Sequence, residues 1–297
     1  MGRQLPFLWV DVFTARPFGG NGLCVVFDAG GLTGDEMQAL ARETNQSETT
    51  FVLPPTRPGA DYRVRIFTPG RELPFAGHPT LGTAAALVAT GRLTGPRLVQ
   101  ETASGLTPLE IDRDLVVMET PSPRAVAPVA AERVSALLGA AVHDPEVIEA
   151  GIAHMVVGVE AVETLAALTP DLAGLTRLSQ EAGFVGTVVY APHAPEPQPG
   201  GAPSSPEPPR VDPVPVGRVR MFAPAAGVGE DPATGSAVAP LVLWLQRRGR
   251  LPRGAFTYEQ GVEMGRPSLL HVEVLPGGRI RAGGRVVVLG EGVFRLL

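Results

Sequence analysis

The chain has 297 residues, a formal net charge of -5 and 44% hydrophobic residues, enough for one large domain or two ordinary ones around a real core. That balance gives no global pull toward nucleic acid or anionic lipid. With a single cysteine, Cys24, and no lysine, an intrachain disulfide, a cysteine zinc site and a lysine Schiff base are all excluded.

In chain order, "LWVDVFT" (8–14) and "GLCVVF" (22–27) read as strands joined by the loop "ARPFGGN". Thr33 and Glu36 fit a capping box for a helix running to about Thr44. The polar run "NQSETTF" (45–51) follows, with Glu48 at the seam between that helix and a strand, "TTFVLP". "YRVRIFTP" alternates like a half-buried strand, and "GHPTLGTAAALVAT" (77–90) turns into a helix that is apolar all round and therefore expected to be buried. Three short strands follow, "RLVQETA", "LTPLEIDR" and "LVVMETP".

A second unit begins near residue 124. It reads as a helix ("AAERVSALLG"), a strand ("HMVVGVE"), two helical pieces broken at Pro170, and a strand ("GTVVYA"). Residues 192–217 hold ten prolines in 26 positions, a composition that predicts an exposed, partly disordered loop inserted into the fold. A strand ("RVRMFAP"), a strongly apolar helix ("GSAVAPLVLWLQRRGR") and antiparallel strands with Gly turns complete the chain. The pattern is α+β, with an N-terminal domain over 1–120, completed by a strand at 285–297, and a C-terminal domain over 124–284. No apolar run approaches the ~18 residues of a spanning helix, and the start lacks a signal-peptide pattern, so a cytoplasmic protein is expected.

The two apolar helices share a preamble. "RIFTPGRELPFAGHPTLGTAAAL" (65–87) and "RMFAPAAGVGEDPATGSAVAPL" (220–241) both begin Arg-x-Phe-x-Pro. His78-Pro79 matches Asp231-Pro232, and Gly82-Thr83-Ala84 matches Gly235-Ser236-Ala237. This repeat predicts two pseudo-symmetric domains, each a curled, mostly antiparallel sheet around a central apolar helix, with both helix N-termini lining one cleft. Free N–H groups and small residues at such ends suit a carboxylate; Thr83 and Ser236 also read simply as helix caps. Glu48, His78 and Asp231 are the titratable candidates, since a site built from both halves can present an acid and a base to one small molecule. Spacing alone does not put Glu48 in that cleft. There is no P-loop, dinucleotide fingerprint, Gly-x-Ser-x-Gly elbow or paired-His spacing, so neither a cofactor nor a metal is expected.

Together "DVFTARPFGGNGLCVVFDAGGLTGDEMQALARETNQSETTFV" and the two preambles resemble the phenazine-biosynthesis PhzF-like family; the likeness covers nearly the whole chain except the Pro-rich segment. The resemblance implies the diaminopimelate-epimerase-like fold, a homodimer, and cofactor-independent isomerisation of a small carboxylate or cyclic amino acid. It implies Glu48 as the group that takes a proton from carbon and returns it, His78 and Asp231 beside it, and Asn21, Gly77, Gly82, Thr83, Gly235 and Ser236 around the substrate. Epimerases of the broader fold use two opposed thiols; one cysteine, inside a strand, cannot do this, and Cys24 reads as a buried small hydrophobe. A hydrolase or lyase on the same scaffold, and a binding protein without turnover, are the alternatives.

Overall fold

A computed structural model describes residues 2–193, 214–251 and 254–296. The first half runs β1 (Arg3–Val12), β2 (Asn21–Val26), α1 (Gly34–Thr44), β3 (Glu48–Leu53), β4 (Tyr62–Phe67), β5 (Glu72–Leu73), α2 (Gly77–Ala89), β6 (Arg97–Thr102), β7 (Gly105–Asp112) and β8 (Leu115–Glu119). The second runs β9 (Arg124–Pro128), α3 (Ala131–Leu138), β10 (His143–Ala150), β11 (Ile152–Gly158), α4 (Val162–Ala166), α5 (Leu172–Ala182), β12 (Gly186–Pro192), β13 (Pro215–Phe222), α6 (Val238–Arg247), β14 (Ala255–Gln260), β15 (Ser268–Val274) and β16 (Ile280–Leu296).

The fold is a barrel type with mixed sheets. From β1 through β2, β3, β4, β6, β7 and β8, neighbouring strands pair antiparallel, parallel, antiparallel, parallel, antiparallel, antiparallel. From β10 through β11, β12, β13, β14, β15 and β16 the same sequence of pairings recurs. Each series is flanked by one more strand, which for the first comes from the other half and for the second from the same half. The C-terminal part of β16 lies beside β1, with Val12 opposite Val286 and Arg3 opposite Leu296, while β9 lies beside β10. The first part of β16 also pairs with β8, so β1 to β4, β6 to β8 and β16 form a closed ring. Closure leaves those strands few free edges.

The capping box forms as expected: Thr33 accepts from the Glu36 amide, and the Glu36 carboxylate accepts from the Thr33 amide. The helix ends at Asn45 in the left-handed region, and Glu48 opens β3 three residues on. Met37, Leu40 and Ala41 of α1 pack on the outer side of β1 to β4 in a small core of their own. The larger core is continuous across the two halves; it contains Val10, Leu81 and Leu87 from the first and Val238, Leu241 and Trp244 from the second. Most of α2 is buried, and the helix packs against β1, β2, β3, β6, β7, β8 and β16. No helix among the described residues is long and apolar enough to cross a membrane.

Four strands escape the sequence reading. β5 spans only Glu72–Leu73, β9 is exposed along its length, β10 opens on His-Asp-Pro and carries Glu146 and Glu149, and β14 alternates only from Phe256 to Glu259. Each is too short or too polar to be recognised along the chain, and tertiary pairing fixes its partners. The proline-rich segment is also shorter than expected. Pro192 pairs with Gly217 across β12 and β13, and Pro215 begins β13, so the two ends of 192–217 are strand. Proline is tolerated at strand ends, where the missing N–H costs no ladder bond. Residues 194–213 lie outside the described residues.

Candidate active site

Four segments meet at one point: the start of β2, the start of β3, the start of α2 and the turn before α6. Glu48 opens β3 and His78 is the second residue of α2. Their side chains are 17% and 6% exposed, and His78 Nε2 lies 3.6 Å from Glu48 Oε2. Neither atom has a hydrogen-bond partner, although both are buried. Burial pushes the Glu48 carboxyl up to about 7, with the Ser47 hydroxyl opposing, and pushes His78 down to about 4 against the nearby Asp231 charge and the Gly22 backbone. Near neutrality the imidazole is therefore uncharged and Glu48 is poised between its two forms.

Asp231 faces this pair from the second half. Asn21, the first residue of β2, donates from Nδ2 to Asp231 Oδ1 at 3.0 Å and to the Ala233 carbonyl at 3.1 Å. Ser47 in turn donates to Asn21 Oδ1 at 3.1 Å, which fixes the orientation of the amide. The Thr234 hydroxyl donates to Asp231 Oδ2, and Gln260 Nε2 donates to the Asp231 carbonyl at 2.8 Å. Burial pushes the Asp231 carboxyl up to about 6; the Thr234 bond opposes this and the charge of Glu48 adds to it. Three titratable groups from two halves thus share one desolvated, mutually coupled site.

The start of α2 meets the turn before α6 in van der Waals contact. A Cβ on Gly77 would sit 3.4 Å from Gly235 Cα, and one on Gly235 would sit 3.6 Å from Gly77 Cα. Gly77 begins α2, and Gly235 begins a 3-10 turn, Gly235–Ala237, that runs into α6. Both glycines carry backbone N–H groups at the head of a helical segment, beside Glu48 and His78.

The repeat matched Gly235 to Gly82, but Gly82 is elsewhere. Its missing Cβ would lie 2.6 Å from Leu23 Cδ2 and 2.8 Å from Val12 Cγ2, so it is a close-packing position against β1 and β2. Thr83 is fully buried and donates to Thr50 Oγ1 at 2.9 Å, which ties α2 to β3. The helix boundary sets Gly82 and Thr83 apart from the contact between Gly77 and Gly235. α2 starts at Gly77, five residues earlier than the match implied, so the amides of 82 and 83 fall inside the helix ladder. For the same reason Thr83 is not a cap; the position before the helix is Ala76.

Ser236 is hydrogen-bonded to a residue that sequence reasoning passed over. Its Oγ lies 3.0 Å from Nε2 of His154, which is buried in β11. Ser47, Thr234 and Gln260 were also missed; Ser47 and Thr234 lie inside the quoted motifs beside Glu48 and Asp231, whereas Gln260 has no motif and is brought in by folding. Cys24 is fully buried in β2, and burial pushes its thiol up to about 12, as befits a small core residue. Among the described residues no group of three or more His, Cys, Asp or Glu side chains could hold a metal ion.

A mixed-sheet barrel carrying a shared acid–base cluster between two repeated helix starts defines the class, and comparison with known proteins gives the family. The chain belongs to the phenazine biosynthesis-like family (PhzC-PhzF), whose model matches residues 10–198 and 215–296. It is an isomerase of that family. The chain is 37% identical over 300 residues to trans-2,3-dihydro-3-hydroxyanthranilate isomerase of Pseudomonas aeruginosa, covering 96% of this chain and 98% of that one. Among solved structures, a PhzF-family protein of Enterococcus faecalis matches with TM-score 0.78 at 25% identity, over 99% and 100% of the two chains. One from Bacillus anthracis matches in fold with TM-score 0.82 at 23% identity, over 98% and 99%.

Proposed function

We propose that this enzyme isomerises a small cyclic amino acid bearing a carboxylate by moving a proton between two carbons, with Glu48 as the group that takes it and gives it back. The observation that carries this reading is the pair of buried, unpartnered atoms, Glu48 Oε2 and His78 Nε2, 3.6 Å apart beside the contact of Gly77 with Gly235. Buried polar atoms are nearly always hydrogen-bonded, so an orphaned pair at one spot fits a ligand that completes it.

In this mechanism the Glu48 carboxylate accepts a proton from a ring carbon. The electron pair left behind enters the conjugated system that includes the substrate carboxylate. The amides at Gly77 and Gly235 stabilise the charge developing on that carboxylate. The Glu48 carboxyl exchanges its proton with solvent and delivers a proton to another ring carbon as the double bond moves, so no redox partner is needed. A carboxyl at about 7 can serve as base and then as acid near neutrality. His78, Asp231 and Asn21 hold the substrate's amino and hydroxyl groups. The relative from Pseudomonas aeruginosa is named for a dihydro-hydroxyanthranilate, whose ring, amino group, hydroxyl and carboxylate match these needs.

The repeat of pairing order supports a pseudo-twofold arrangement in which α2 and α6 are the central helices of the two units. We expect the enzyme to work as a cytoplasmic homodimer, which light scattering checks. Deuterium incorporation into carbon, followed by NMR with trans-2,3-dihydro-3-hydroxyanthranilate in D2O, tests the chemistry. Wild type should incorporate deuterium, and Glu48→Gln should fold, bind and exchange roughly 10²-fold or more slowly. Exchange in Glu48→Gln within a few-fold of wild type would sink the assignment of the base. Turnover by wild type without any deuterium entering carbon would favour a hydrolase or lyase on this scaffold.

A further inference from the structure

Gln260, the last residue of β14, is fully buried against the turn that carries Asp231. Its Nε2 donates to the Asp231 carbonyl at 2.8 Å and to Thr234 Oγ1 at 2.9 Å, and its Oε1 accepts from the Thr234 amide at 3.3 Å. Both amide protons are thus spent. Turning the amide over would set Oε1 against the Asp231 carbonyl and the NH2 group against the Thr234 N–H, so the partners allow one orientation. The turn itself is anchored without Gln260 as well: the Asp231 amide donates to the Met221 carbonyl at 2.9 Å, and the Ser268 hydroxyl donates to the Pro232 carbonyl at 2.8 Å.

The orientation of that amide sets the direction of the next bond. An amide nitrogen only donates, so the Thr234 proton is not spent on Gln260 and goes to Asp231 Oδ2. The other carboxylate oxygen, Oδ1, accepts from Asn21 Nδ2, whose amide is oriented by the Ala233 carbonyl. Asp231 therefore receives a donor on each oxygen and keeps further lone pairs for a ligand. These donors favour the ionised form and oppose the burial that raises this carboxyl. The titratable groups that act on Asp231 are Glu48 of β3 and His78 of α2. Glu230, next to it in the chain, is taken up by Arg220 of β13, and Glu259, next to Gln260, by Arg218 of the same strand.

We propose that Gln260 is a positioning residue, which acts through the Thr234 hydroxyl to hold Asp231 as a hydrogen-bond acceptor and so selects ring acids that carry an amino group over the corresponding plain acids. This rests on the reading above in which Asp231 holds the substrate's amino group. An ionised carboxylate accepts strongly from an N–H, whereas a protonated one is a weaker acceptor with a proton of its own to place.

The test has one arm that needs no ligand. The 13C resonance of the Asp231 carboxyl is followed through a pH titration, with Glu48→Gln in every protein so that this coupled neighbour does not titrate. Thr234→Val should raise the Asp231 midpoint by about one pH unit, and Gln260→Met by about half a unit or more. In the double variant the rise should equal that of Thr234→Val alone, since Gln260 acts through the hydroxyl. An unmoved midpoint in Gln260→Met, or additive rises, would overturn the proposal. No variant at 260 is needed for a second check: the Gln260 amide proton bonded to Thr234 should shift as Asp231 titrates and cease to do so in Thr234→Val. A proton indifferent to that titration would also overturn the proposal. The second arm is calorimetry with anthranilate, a stable ring amino acid, and benzoate, the same ring acid without the amino group. Gln260→Met and Thr234→Val should each weaken anthranilate binding roughly threefold to tenfold, the scale of one hydrogen bond, and leave benzoate within about twofold. Thr234→Ser, which keeps the hydroxyl, should bind both like wild type. Equal losses for the two ligands would mark Gln260 as a packing residue and overturn its role in selection. A wild type that binds neither ligand, or both equally, would count against the reading of Asp231 as the holder of the amino group, and the titration would still decide whether Gln260 acts on Asp231.

Discussion

The two preambles, 65–89 and 220–247, start alike and then diverge. Arg65 makes a two-pronged pair with Glu72, at 2.7 and 2.6 Å, and lies over the Phe67 ring. Arg220 makes the same pair with Glu230, at 2.8 Å on both prongs, and lies over Phe222. Beyond that point the chains differ. In the first half the helix begins at Gly77, so His78 and Pro79 are inside its first turn, where proline's missing N–H does no harm. In the second half Asp231 and Pro232 stay outside any helix, Thr234 is extended, and α6 begins only at Val238 after a 3-10 turn. Similar sequence at matched positions therefore gives two kinds of surface. One presents an imidazole with an unpartnered Nε2 from a helix, and the other a carboxylate tied down by Asn21 and Thr234. Matched segments of one repeat thus bring two unlike groups to one site.

The arginine pairs give the largest expected contrast. Arg220 is 8% exposed and also donates to the Leu165 and Leu168 carbonyls, whereas the Arg65 and Glu72 side chains are 26% and 40% exposed. Arg220→Met strands a half-buried Glu230 and those carbonyls, and should cost about 3–5 kcal/mol in urea denaturation. Arg65→Met should cost about 0–1 kcal/mol. Equal losses would mean that the two arginines do the same job and the halves are more alike than their burial implies.

Glu48 sharpens the comparison through pH. Its folded pKa of about 7 stands above its ordinary value of 4.5, so folding favours the protonated form. The associated stability is fully present below about 4.5 and is lost as pH rises through 7. Glu48→Gln removes that dependence. The stability of the variant minus that of wild type should therefore grow by on the order of 3 kcal/mol between pH 4.5 and pH 8. Taking this difference removes the contribution of His154, whose lowered pKa acts in the opposite sense as pH falls below 6.5. A pH-independent difference between the two proteins would show that Glu48 is solvated and not poised.

The glycines matched by the repeat separate packing from binding. Gly82→Val drives new methyls into Leu23 and Val12 and should cost about 1–3 kcal/mol of stability. Gly235→Ala places its Cβ no closer than 3.4 Å to Phe13 and Gly77, so it should melt near wild type yet lose measurable affinity for anthranilate in calorimetry. Unchanged anthranilate affinity in Gly235→Ala would reduce that glycine to a packing device and undo the contrast with Gly82.

Much of this molecule was written locally. The Thr33–Glu36 box, the all-round apolar character of 77–89, the break at Pro170 and the repeated Arg-x-Phe-x-Pro each follow from interactions within a few residues, and such signals survive without knowledge of the fold. The pairing of Glu48, His78 and Asp231 was reachable only because the repeat and a family resemblance named them; no spacing sets residues 48, 78 and 231 side by side. Tertiary structure alone decided the rest. The helix start at Gly77 put the glycine that meets Gly235 five positions from where the repeat aligned it. β10, with its two glutamates, became a strand because β9 and β11 flank it. His154, one of five scattered histidines, came to stand behind Ser236, 82 residues away, because β11 runs beneath the start of α6. Capping and periodicity are short-range and are readable along the chain, whereas burial, orphaned polar atoms and hydrogen-bond direction depend on what packs across a site, which only the folded chain defines.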